Sequence, residues 1–110
     1  MSAPTLQANQ PVSPAELAAR NGLQLSSIAL EKTPGSSLVY AVGTITNTVE
    51  RQRFGVTVDL DVLDASGQKV GTASDYVSVL EPKARWQFKA LIVDPKTAAS
   101  ARLAAVREQQ

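Results

Sequence analysis

The chain has 110 residues, 44% of them hydrophobic, with 11 basic and 10 acidic side chains. That length supports one domain with a modest core, and so even a charge balance creates no field to hold nucleic acid or an anionic membrane. The sequence contains neither cysteine nor histidine, which removes disulfides, thiol nucleophiles, serine-histidine catalysis and histidine-based zinc sites.

Met1 to Val12 is rich in Ala, Pro, Gln, Asn and Ser, with Leu6 and Val12 as its larger apolar groups. Such a composition does not offset its own ordering entropy, so a flexible tail is expected. It lacks the basic start and apolar centre of a signal peptide, and no stretch of the chain approaches the roughly 20 apolar residues of a membrane span, so no membrane insertion is expected of it. Ser13-Pro14-Ala15-Glu16 has the form of a capping box, and Arg20-Asn21-Gly22 that of a helix stop. The reading is a tail and a short helix over residues 1–22, followed by one β-sandwich domain over residues 23–110.

From Leu23 the apolar period becomes two. Leu23 and Leu25 are out of phase with Ile28 and Leu30, which predicts a bulge or kink near Ser26-Ser27. Pro34 to Ser37 is a turn cluster, and Leu38 to Asn47 a second strand with Gly43 at its centre. Glu50-Arg51-Gln52-Arg53 reads as a solvated connection. In the next strand Phe54, Val56, Val58, Leu60 and Val62 share the expected core face, and Gly55, Thr57, Asp59 and Asp61 the wet one. Asp64-Ala65-Ser66-Gly67 predicts a type I turn into a strand over Lys69 to Val79. Glu81 to Ala84 turns again into a strand that places Trp86, Phe88, Ala90 and Ile92 inward. After Asp94-Pro95 the Ala-rich content favours helix, while Ala101, Leu103 and Ala105 also fit a strand closing a sheet edge; a turn near Pro95 followed by a strand is the expectation. The pattern predicts an all-β, antiparallel β-sandwich of six to seven strands with a short N-terminal helix.

"VGTITN" (Val42 to Asn47), "LDVLD" (Leu60 to Asp64), "SGQKVG" (Ser66 to Gly71) and "VLEPKARWQFKA" (Val79 to Ala90), in that order, resemble the FxLYD domain family. Leu60 stands where that motif has Phe, Val62 where it has Leu, and Leu63 where it has Tyr, while Asp64 is identical. The resemblance spans about Leu23 to Glu108. It implies an immunoglobulin-like sandwich found in bacterial proteins, often carried outside the membrane in the cell envelope, with no assigned enzyme activity.

The chemistry-bearing residues have structural readings. Asp59 and Asp61, with Asp64 beyond them, suggest a calcium site or a carboxylate pair, against a solvated strand face that discourages aggregation. Arg51, Arg53, Lys83, Arg85 and Lys89 suggest a basic patch. Trp86 and Phe88 alternate away from Arg85 and Lys89, however, and so do not form a base-stacking platform with them. Tyr40 and Tyr76 are too generic to assign, and neither a Gly-x-Ser-x-Gly elbow nor a Ser-x-x-Lys nucleophile is expected. The expectation is a non-catalytic module with no catalytic, cofactor-binding or metal residue and no cofactor. It binds a protein partner by a sheet edge or face, the first strand being the favoured edge, or acts as a spacer. A ligand- or calcium-binding accessory domain is the alternative.

Overall fold

The alternation that starts at Leu23 is realised strand by strand in a computed structural model that describes residues 13–109. The tail expected over Met1 to Val12 lies outside the described residues. Helix α1 (Pro14–Arg20) begins at Ser13, whose Oγ accepts from the Glu16 amide at 3.1 Å, and ends at Asn21. Glu16 pairs with Arg20 at 3.7 Å instead of reaching back to complete the box. Seven strands follow: β1 (Leu23–Leu25), β2 (Ala29–Lys32), β3 (Val39–Asn47), β4 (Arg53–Leu63), β5 (Lys69–Leu80), β6 (Arg85–Ile92) and β7 (Ser100–Arg107).

They form two antiparallel sheets. In the first, β3 is central, with β6 on one side and both β1 and β2 on the other. β1 and β2 are thus one edge strand interrupted at the phase change. There Ser26 donates its amide to the Thr44 carbonyl at 2.9 Å, and its Oγ accepts from the Thr44 amide at 2.8 Å, so the break loses no ladder bond. In the second sheet β4 is central between β5 and β7. The Ala-rich C-terminus is therefore a strand, because β4 offers an open row of backbone groups that outweighs local helix preference.

The two sheets bury a common core. Val56, Val58, Leu60 and Val62 of β4 face Ile45 of β3 and Phe88 and Ala90 of β6, with Leu103 of β7 completing the layer. Gly43 lies inward opposite Phe88, and a Cβ there would stand 2.6 Å from Phe88 Cζ. The missing side chain is the space the Phe88 ring occupies. Trp86 is half-buried against this core and meets Phe88 edge to face, with centroids 6.0 Å apart. The turn at Asp64 closes as read: the Gly67 amide bonds the Asp64 carbonyl at 3.0 Å, and Gly67 takes φ 87°.

Three expectations fail together. Phe54 is 51% exposed, Arg53, read as solvated, is 1% exposed, and Gly55, assigned to the wet face, is buried. The cause is Gly55, whose φ of 61° breaks the alternation between Phe54 and Val56. A residue in the left-handed region turns the chain by one position, so the inward face before the break holds Arg53 and the inward face after it holds Val56.

Candidate functional site

The wet face of the second sheet was the first candidate, and it is a network of paired charges. Asp59 sits centrally on β4. Arg107 of β7 reaches it with Nε at 2.7 Å, and Ser74 Oγ of β5 donates to it at 2.9 Å. Partial burial pushes the Asp59 carboxyl up, but the hydrogen bonds from Arg107 and Ser74 and the Arg107 charge together hold it below its ordinary value. Asp61 is held between Lys69 at 3.2 Å and Arg102 at 3.5 Å. Asp64 is separate, in its turn, where Oδ1 accepts from the Ser66 amide, the Ser66 hydroxyl and the Gln68 amide at 2.7 to 2.9 Å. The Ser66 hydroxyl and the backbone amides hold its carboxyl below the usual range. The three carboxylates thus face cations and local donors and do not converge, and among the described residues no group of three or more acidic or other ligating side chains is placed to hold a metal.

Contrary to expectation, Ser66-Gly67-Gln68-Lys69 has the Ser-x-x-Lys spacing of a serine nucleophile with a lysine base. The turn between β4 and β5 separates its roles: the Ser66 hydroxyl donates to Asp64, and the Lys69 ammonium pairs with Asp61.

The basic residues do not gather into a patch. Lys83 Nζ bonds the Thr48 carbonyl at 2.9 Å and pairs with Glu50 at 3.5 Å. Lys89 sits 4.4 Å from the centre of the Tyr40 ring and 3.8 Å from Glu31, on the outer face of the first sheet. Arg51 lies 3.0 Å from Glu108. Beside it Arg53 turns inward to a node at one end of the sandwich. Its Nε donates to Asn47 Oδ1 at 3.1 Å, Nη1 to Glu108 Oε1 at 2.8 Å, and Nη2 to the Asn21 carbonyl. Asn47, itself buried, donates through Nδ2 to the carbonyls of Arg51 at 2.8 Å, Glu81 at 3.1 Å and Leu80 at 3.3 Å. A single guanidinium and a single amide therefore tie together the ends of α1, β3, β5 and β7. A cleft of about 330 Å³ opens beside them, lined by Ala18, Leu23, Val106 and the node's own side chains.

The remaining surface is that of the sheet edges, and they are treated unequally. On β6 the outward Lys89 amide donates to Asp75 Oδ2 at 2.8 Å, a carboxylate that points in from β5 and bridges the two sheets. On β7 the stretch Ala104 to Val106 lies under α1, across a groove of about 170 Å³. β2 lies beside β7, but among the described residues no side chain bonds its outward amides and no helix crosses it. Because the Lys89 amide points away from β3, strand alternation sends the amides of Tyr40 and Val42 toward β2 and those of Leu30 and Lys32 outward from it. Compared with protein-family models, with curated proteins and with solved structures, the chain matches none.

Proposed function

We propose that this domain is a non-catalytic β-sandwich module of a bacterial cell-envelope protein that binds a protein partner by adding a strand to the β2 edge. The observation that carries this reading is the unequal treatment of the edges. Asp75 occupies an outward amide of β6 and α1 lies against β7, whereas among the described residues the outward amides of Leu30 and Lys32 bond no side chain and lie under no helix. An open row of donors and acceptors is what strand addition uses. The envelope assignment draws on the resemblance of Val42–Asn47 and Leu60–Ala90 to the FxLYD sandwich. The pairing of Asp59 with Arg107, and of Asp61 with Lys69 and Arg102, weighs against the calcium-binding alternative.

The test compares the native domain with Lys32→Pro, which removes one outward amide and none that bonds β3. Partner capture from a bacterial envelope extract should be lost with Lys32→Pro, while Asp59→Asn should retain it within about tenfold. Equal capture by the proline variant would rule out the β2 edge. A rise in melting temperature on adding calcium would favour the accessory-domain reading instead.

A further inference from the structure

Helix α1 is attached to the sandwich in an uneven way. It has seven residues, a length at which a helix does not persist alone, and only Ala18 of it is buried. Leu17, at its centre, is 53% exposed, and among the described residues a groove of about 170 Å³ lies between it and Ala104 to Val106. Its start is held by its own cap, through Ser13. Its end is fastened to the rest of the molecule. The Gly22 carbonyl accepts from the Thr48 amide at 2.8 Å and the Thr48 hydroxyl at 3.1 Å, and the Asn21 carbonyl accepts from Arg53. Gly22 takes φ 84°, and a Cβ on it would lie 2.7 Å from both Arg53 Nη2 and Val49 Cγ1. The attachment is therefore a close-fitted joint at the end of the helix and one buried alanine, beneath a helix that is otherwise exposed.

The same guanidinium that holds Asn21 is neutralised by Glu108, just past the end of β7. We propose that α1 is a releasable strap over the outer edge of β7, with Arg53 as its latch and Glu108 as the group that sets it. While Glu108 is in place, Arg53 remains buried and its Nη2 holds the Asn21 carbonyl. When Glu108 is drawn away by a partner or by tension on the C-terminal side, a buried cation is left with neutral acceptors only, and its removal to water takes the bond to Asn21 with it. α1 then lifts as a unit, and the edge of β7 over Ala104 to Val106 becomes free for strand pairing while both sheets stay intact. The latch stands independently of whether β2 is the binding edge.

The experiment is amide hydrogen exchange on the full 110-residue chain, comparing the native protein with Glu108→Gln and Gly22→Ala. Both variants should speed exchange at Leu17 and Asn21 by about tenfold or more, while Val58 and Leu60 of β4 stay within about twofold of native. Arg51→Gln, which removes only the exposed partner of Glu108, should leave the α1 amides slow. The proposal is overturned if the α1 amides are unchanged in Glu108→Gln, or if α1 and β4 accelerate by the same factor, since the helix would then be an ordinary part of the cooperative fold.

Discussion

Arg53 is tolerated in the interior because its three nitrogens each meet an oxygen from a different segment: Asn21, Asn47 and Glu108. Those acceptors lie 32, 6 and 55 positions away along the chain. No local pattern carries that information, and a charged run "ERQR" reads as solvated for that reason. Phe54 was misplaced by the same break, because periodicity counts alternate positions and does not register a change of face at Gly55. By contrast Val56 to Val62 were legible, since four apolar positions in strict alternation with no glycine between them leave only one face for the core. Replacing Arg53 by Ala removes the buried partner of Glu108, leaving it only the exposed Arg51, and leaves Asn47 Oδ1 only the Val49 amide at 3.3 Å. Urea denaturation should show a loss of about 3 to 5 kcal/mol, the range for breaking a buried ion pair by removing one partner. A loss under about 1 kcal/mol would mean that the node is hydrated and contributes little.

At the scale of elements, the breaks and turns were the most legible features. The phase change at Ser26-Ser27 became the interruption between β1 and β2, and Asp64 to Gly67 became a turn, because each is set by residues in direct covalent succession. The C-terminal strand was harder to read: Ala-rich sequence favours helix, and only the open side of β4, invisible locally, decides for β7. The pairing of Asp59 and Asp61 with Arg102, Arg107 and Lys69 was illegible for a similar reason, as it depends on which strands flank β4. Turn chemistry makes a pH prediction. The Asp64 carboxyl is held below its ordinary value by the Ser66 hydroxyl and the Gln68 amide, so its ionised form favours the folded state. That contribution is complete above the unfolded value of about 4 and disappears as the pH falls through the lowered folded value. Asp64→Ala should therefore be less stable than native at neutral pH, and the gap should narrow below about pH 4. A gap that stayed constant down to pH 2 would show that the turn's bonds do not depend on the carboxylate charge.

The whole molecule has two sheets and one core, and this makes the sheets energetically inseparable even though they share no continuous ladder. Trp86, the only tryptophan, lies on β6 in the first sheet and packs at the margin of that core. Leu60 lies on β4 in the second sheet and is fully buried. Truncating Leu60 to Ala removes packing from the second sheet without touching a bond of the first. In a shared core the cost, about 2 to 5 kcal/mol, belongs to the whole molecule. Trp86 fluorescence should then report the same lowered denaturation midpoint as far-ultraviolet circular dichroism, in one coincident transition. If the sheets were separate cooperative units, Trp86 would keep its native midpoint while the circular dichroism signal split in two. That outcome would also undo the β2-edge proposal in its present form, because a first sheet stable by itself would present its inner face, and not only the outward groups of Leu30 and Lys32, to a partner.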